Sequence, residues 1–594
     1  MKYAYIIPEK TTVNQQPICS WIYCLPVIGA AVMIAIAPHI DRFIRLGDPT
    51  YLESGDDIIY LAIARAPYYG ESSLRDPFAP PARQLPTPFA WTQFFPTTAP
   101  LGRLQVPFLH TTLAWRAGGA LLLGVSIYFL TRRLLPETQS ASFWAFVLCL
   151  LWLADPGAVD GRPLWRIADF SRHWIQGTSD RLPNGYGIYR VVSPLLNLPF
   201  VFLIVLGFTG NSRSDRRAVL TGLCLGIVTL TYFFFWTAMF GAIGMYLLAA
   251  IALCRRSPDA SREVRFAAIV LVVGLFVGGP QIIANGLTFA DPAYREALDR
   301  VSLGYQLPSD DPLRTHYLRS VWGWGYLLLG AIATWRCRSR LLGLLTLTAL
   351  AGYMLRASAI VTGLEFENYH WNYILNGFGV LLFWTLIIRA LMQFDSTPVK
   401  AAVIAFAALL VGIAFAHRIY EANNSVESRW IENTISDLTP LGDSIASLSP
   451  EVSLVGPVET NVAILFGRCG QLFQTPHTCH RMLISDSEAH QRHALNAWLS
   501  GISLSEYSAV ADGGFPFSMT HSTRPEWQPE TVAARRIDIF KTLEANSGAT
   551  LMRKYGPLAL LRSSTAAPPE RGGRWTVRSK SNKWSLWTLT QHES

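Results

Sequence analysis

Long apolar stretches alternate with polar segments over the first 420 residues of this chain, and the pattern changes beyond them. Crossing a bilayer core takes about 20 mostly apolar residues. Eleven stretches meet or approach that length: 21–40, 111–130, 143–153, 191–208, 218–235, 238–254, 266–287, 321–335, 341–361, 371–391 and 401–417. The first follows a polar stretch rather than a basic signal-peptide start. No small-residue cleavage site comes after it, so it reads as a retained anchor. The pattern predicts a polytopic α-helical membrane protein with about eleven spans over residues 1–420.

From residue 421 to 594 the apolar runs shorten and polar residues separate them. Helices are expected at 426–437, from about Ser487, and at 530–543, with strands at 452–455, 554–561 and 575–589. These elements predict a soluble mixed α/β domain, and about 170 residues is enough for one core.

The basic residues fall in short bursts between spans: Arg132 and Arg133, Arg216 and Arg217, Arg255 and Arg256, Arg336 to Arg340. With Lys2 and Lys10 in the cytoplasm, every burst lands on the cytoplasmic side. That orientation sends the long segments 41–110, 154–190 and 288–320, and the C-terminal domain, to the extracytoplasmic face. A bacterial cytoplasmic membrane is the expected location. The net charge of +9 is then a topology signal. It does not gather into the basic patch that nucleic acid requires. Only 15% of the residues are charged and 51% are hydrophobic. Soluble proteins carry about 25% charged residues, so this composition excludes a disordered chain and argues against a soluble enzyme.

With charge so sparse, the ionisable residues of the outer segments stand out. The first loop carries Asp56 and Asp57 just before an apolar run beginning at Ile58. Adjacent carboxylates there suit a general base or a clamp for a metal or pyrophosphate-like group. A cap at a helix start, where free N–H groups favour acids, accounts for one of them but not readily for an adjacent pair followed by an amphipathic stretch suited to the membrane surface. Asp76 follows, within a Pro-rich stretch containing Trp91, Phe94 and Phe95. Arg190, at the outer mouth of the fourth span, is placed to bind a lipid phosphate or to snorkel to the interface. An aromatic run, Tyr232 to Trp236, marks the break between the fifth and sixth spans. Arg356, near the outer end of the ninth span, needs a partner or water. The short loop after it supplies Glu365, Glu367, Asn368 and His370.

Six of the eight cysteines lie in or beside apolar stretches, while Cys469 and Cys479 stand in the polar C-terminal region. An extracytoplasmic location would allow these two a disulfide; otherwise they are free thiols. His477, His480, His490 and His493 match no zinc spacing. No strand is followed by a glycine-rich nucleotide fingerprint.

An acidic motif in the first outer loop, many spans and a soluble C-terminal domain on the same side resemble the GT-C superfamily of integral-membrane glycosyltransferases. The matching residues are Asp56 and Asp57, with Tyr60 and Asp76 downstream. The resemblance implies a sugar donor carried on a polyprenyl phosphate, with one of the two aspartates as catalytic base or metal ligand. A divalent ion, Mg or Mn, is the cofactor it allows. Arg190, Arg356, Glu367 and His370 lie on the right side for donor or acceptor contacts. The tail lacks the W-W-D-x-G signature of the oligosaccharyltransferase branch. The expected acceptor is therefore a cell-envelope glycan or lipid rather than a protein, and the expected transfer is inverting. Other readings of the layout are a flippase for lipid-linked glycans and a non-catalytic assembly protein. The latter expects the acidic pair and the arginines to lie apart.

Overall fold

The structure, a computed structural model, describes residues 17–74, 76, 78, 87, 92–162, 164, 187–209, 214–254, 258–300, 305–316, 318–337, 339–366, 368–473, 483–512, 525–546 and 548–592. Each of the eleven apolar stretches forms a helix. They are α1 (Pro17–Leu46), α3 (Thr111–Leu134), α4 (Ala141–Leu153), α5 (Leu198–Gly207), α6 (Asp215–Thr229), α7 (Phe233–Cys254), α8 (Pro258–Ala290), α9 (Val321–Cys337), α10 (Arg340–Arg356), α11 (Asn372–Leu391) and α12 (Thr397–Asn424). Among the described residues, seven helical segments are long and apolar enough to cross a membrane. The chain is a multi-pass α-helical membrane protein carrying a C-terminal sheet domain.

Two of the remaining helices, α5 and α6, are shorter than the apolar pattern suggests, for local reasons. The fourth apolar stretch begins as turns over 191–197, because Pro194 and Pro199 restrict the backbone there, and becomes helical only at Leu198. The break between the fifth and sixth stretches falls earlier than the pattern suggests. Thr229 ends α6, and Phe233 starts α7.

Between α1 and α3 the first loop folds into α2 (Gly55–Tyr68). An amphipathic helix lying on the membrane surface would show one wet face. Instead, every residue from Asp57 to Arg65 is buried. Ile58, Ile59, Leu61, Ala62, Ile63 and Ala64 are apolar nearly all round the helix, and such a helix belongs inside.

The C-terminal domain opens with α13 (Val426–Leu438). Its sheet contains β1 (Ser453–Val455), β2 (Gly470–Gln471), β3 (Leu558–Ser563), β4 (Gly573–Lys580) and β5 (Trp584–His592), in the order β2-β1-β3-β5-β4. β1 runs parallel to β2 and β3, while β5 is antiparallel to β3 and β4. The helices α14 (Asp486–Leu499) and α15 (Pro529–Ala545) cover it. Residues 462–466 form helical turns, and β3 starts only at Leu558, because a helix occupies Ala549–Tyr555.

The domain is not a separate bead. Leu441, Leu454, Leu465 and Leu561 belong to the same apolar core as the membrane helices, whereas Val455, Trp498, Tyr507 and Phe540 form a second core inside the domain. Arg65 of α2 fixes the join. Its guanidinium is buried and donates to the carbonyls of Ile464 and Gly467 at 2.6 and 2.7 Å. Gln471 N–H, on β2, donates to the Phe78 carbonyl of the first loop.

Candidate functional site

The two adjacent aspartates do different work. Successive residues on a helix point about 100° apart. Asp57 points into the protein and is 3% exposed. Its Oδ2 accepts from the Glu53 backbone N–H at 2.7 Å and from Arg116 Nη2 at 3.2 Å. It therefore acts as a helix-start acid with a buried partner. Asp56 points out of the helix and is half-buried, and it forms an ion pair with Arg190 Nη2.

Asp57 belongs to a buried charge cluster that ties four segments together. Glu53 receives both Nη atoms of Arg418 at 3.1 and 3.0 Å, and Arg116 Nη2 at 3.0 Å. Arg418 also donates to Glu421 at 3.2 Å. Arg116 Nη1 lies 2.9 Å from His39 Nε2, while His39 Nδ1 lies 2.6 Å from the Pro49 carbonyl. That arrangement suits a neutral imidazole donating from Nδ1 and accepting at Nε2. Both guanidiniums are fully buried. Buried charges survive only when paired and hydrogen-bonded, and here α1, α3, α12 and the start of α2 supply the pairs.

Burial raises the carboxyl of Glu53, but Arg418 and Arg116 outweigh it and hold it down at about 2. For Asp57, burial dominates, and the neighbouring Glu53 charge adds to it against Arg116. Its carboxyl is pushed up to about 6. The cluster thus anchors the root of α2, and the helix then presents Asp56 one position earlier.

Around Asp56 the structure gathers groups from distant parts of the chain. Arg190 Nη1 donates to Tyr373 Oη at 3.1 Å. Burial by itself would lower the Arg190 guanidinium; Tyr373, then Asp56 and Tyr60, outweigh it and hold it well above its ordinary value. Tyr373 stacks on Phe235 and faces His370, with ring centres 6.4 and 6.3 Å apart. His370 Nδ1 lies 2.5 Å from Tyr232 Oη. The result is a guanidinium flanked by a carboxylate and a phenol, with an imidazole–phenol pair beside it. A guanidinium fork of this kind matches a phosphate, and the adjacent carboxylate can accept a proton.

Of the residues singled out in the sequence, Asp56, Tyr60, Arg190 and His370 therefore converge. Asp57 sits behind them in the charge cluster. Asp76 is buried and caps its own turn, accepting from Phe78 N–H at 2.9 Å. Arg356 ends α10 one turn after Tyr353, whose hydroxyl donates to the Leu318 carbonyl. Glu365 accepts from Asn368 N–H, shaping the turn before His370. Glu367, Arg75, Trp91, residues 165–186, His477, His480 and Cys479 lie outside the described residues. Cys469 is a buried free thiol. Sequence reasoning passed over Glu53, Arg116, Arg418, His39 and Tyr373. Arg116 and His39 sit within apolar stretches, and an ionisable residue there is a functional signal in its own right.

Among the described residues, the two aspartates do not form a joint site for the divalent ion that the resemblance allows. Each aspartate faces a different guanidinium, so the two offer no joint cradle. Among the described residues, no group of three or more His, Cys, Asp or Glu could hold a metal ion. Among the described residues, Arg190 supplies the fixed positive charge that faces Asp56.

No protein-family model matches the chain, and no curated protein matches it in sequence. In three dimensions the likeness is extensive. The likeness is one of fold, and it runs over almost the whole chain. Its similarity is to ArnT from Cupriavidus metallidurans. The structure of that protein bound to undecaprenyl phosphate aligns with a TM-score of 0.51 at 12% identity, covering 96% of this chain and 98% of that one. The apo form gives 0.50 at 13% identity over the same shares. The Archaeoglobus fulgidus oligosaccharyltransferase aligns at 0.42 and 13% identity, covering 91% of this chain and 69% of that one.

Proposed function

We propose that this protein is a glycosyltransferase that moves a sugar from a polyprenyl-phosphate donor to a cell-envelope glycan or lipid at the extracytoplasmic face. The observation that carries the reading is the Asp56–Arg190 pair at the end of the bundle where α2 meets the C-terminal domain. An assembly protein would have no need to hold a carboxylate against a guanidinium and its phenol there. The ArnT fold, seen in a protein crystallised with undecaprenyl phosphate, supports the donor class.

In this mechanism the donor phosphate binds Arg190, with Tyr373 as a second contact, and releases Asp56 from its ion pair. Asp56 takes the proton of an acceptor hydroxyl. The oxygen attacks the anomeric carbon, the bond from that carbon to the phosphate oxygen breaks, and polyprenyl phosphate leaves on Arg190. A single displacement inverts the anomeric centre. Fixed positive charge where the leaving group develops negative charge is the main source of rate. Purified protein in lipid nanodiscs is incubated with synthetic polyprenyl-phosphate sugars and an envelope lipid acceptor. Release of polyprenyl phosphate together with a glycosylated acceptor is expected. Full activity in Asp56→Asn would overturn the assignment of the base.

A further inference from the structure

The C-terminal domain contains a cavity of about 700 Å³ whose lining includes none of the residues of the site above. Small-ligand pockets typically span about 300–1,000 Å³. The cavity opens where three parallel strands end. Gly456 follows β1, Phe473 lies just beyond β2, and Arg562 and Ser563 close β3. Open α/β sheets bind ligands in the crevice at the carboxyl ends of their strands.

The walls are mainly apolar, with Ile502, Leu561 and Trp584 among them. Most of the polar groups are already committed. His493 Nδ1 lies 2.8 Å from Tyr507 Oη. Burial, reinforced by Arg536, holds this imidazole well below its ordinary value, so it stays neutral. The Asn496 amide is used on both sides by Gly456, each contact 3.0 Å. Among the described residues, the lining contains no carboxylate, and Arg562 is its single formal charge. Arg562 Nη1 donates to the Ala567 carbonyl at 2.9 Å, with Glu570 near enough to act on its charge. The indole N–H of Trp584 is buried without a hydrogen-bond partner among the described residues. A saccharide would need partners for several hydroxyls, and this lining has few to offer. An apolar body with one anionic group meets matching chemistry.

We propose that this cavity binds a single-chain anionic amphiphile, its chain against Leu561 and Trp584 and its carboxylate or phosphate head on Arg562. In the test, full-length protein in nanodiscs is photolabelled with three diazirine probes of equal chain length: a fatty acid, an alkyl phosphate and a fatty alcohol. Labelled peptides are then mapped by mass spectrometry. Saturable labelling by the anionic probes is expected within 493–510 and 561–584, and the stronger of the two identifies the head. Ala497→Trp, which fills the cavity, should remove that labelling while the membrane helices remain labelled. Val510→Trp at the mouth serves if the first variant unfolds at lower temperature. Arg562→Gln should weaken anionic labelling about tenfold and leave the alcohol unchanged. Labelling confined to the membrane helices, or unaltered in a folded cavity-filled variant, would overturn the proposal.

Discussion

Asp56 and Arg190 stand 134 positions apart in the chain and meet as an ion pair. The contact closes the first outer loop onto the entrance to α5, and it gives the site both a proton acceptor and a phosphate-sized positive charge. Replacing Asp56 with Asn keeps the shape and removes the base. Sugar transfer should fall about 10²–10⁴-fold, with an unchanged unfolding temperature in nanodiscs. Loss of folding together with loss of activity would show a structural role instead.

Arg190 has a separable signature. Its fork reaches Asp56 and Tyr373 at once, which a lysine cannot reproduce. Arg190→Lys should raise the KM for the lipid-phosphate donor about tenfold or more while leaving the acceptor KM near that of the parent. Tyr373→Phe should move the same parameter less. An acceptor-side effect in both would reassign the pair to acceptor binding.

The charge cluster behind the site predicts stability rather than chemistry. Glu53→Gln strips Arg418 of its two-point partner and weakens Arg116, both fully buried. Removing one member of a buried ion pair costs about 3–5 kcal/mol. Chemical unfolding in mixed micelles should show that loss. A loss below about 1 kcal/mol would mean that water reaches the arginines.

The same cluster gives a pH dependence of known sign. Asp57 is raised to about 6 in the folded protein, so its contribution is fully present below the ordinary carboxylate range and is lost as pH rises through about 6. Glu53 is lowered to about 2, so its contribution is present above the ordinary range and is lost as pH falls toward 2. Thermal stability should therefore decline between about pH 4 and 6, and Asp57→Asn should flatten that decline. An identical slope in the variant would assign the titration elsewhere.

Arg65 predicts how firmly the two halves are joined. Arg65→Met removes two charge-assisted hydrogen bonds, each worth about 1.5–3 kcal/mol. Hydrogen exchange over residues 460–471 should quicken, with little change in α9 or α10. Equal protection in the variant would show that the apolar core alone holds the domain.

The sequence was informative where composition made a residue conspicuous. Charge is scarce, so Asp56, Arg190 and His370 stood out of the outer segments, and apolar length located the helices. What stayed hidden was pairing. Nothing local says that Asp57 turns inward to Arg116 while Asp56 turns outward to Arg190, because both are acids at the start of one helix. Contacts such as Arg418 with Glu53 span 365 positions and depend on how α12 packs beside α1. The burial of α2 was legible only in part: its apolar residues were visible, but the domain that covers it forms from the other end of the chain.

That last arrangement sets an order of assembly. Arg65 leaves the ribosome 399 residues before the Ile464 carbonyl that will receive it. Contacts so distant along the chain close late. Until that segment is made, α2, a helix with scarcely a polar face, lacks part of its cover. The cover of α2 is complete only when the segment holding Ile464 and Gly467 docks on Arg65. The seat of α2 is thereby tied to a segment made some 399 residues later.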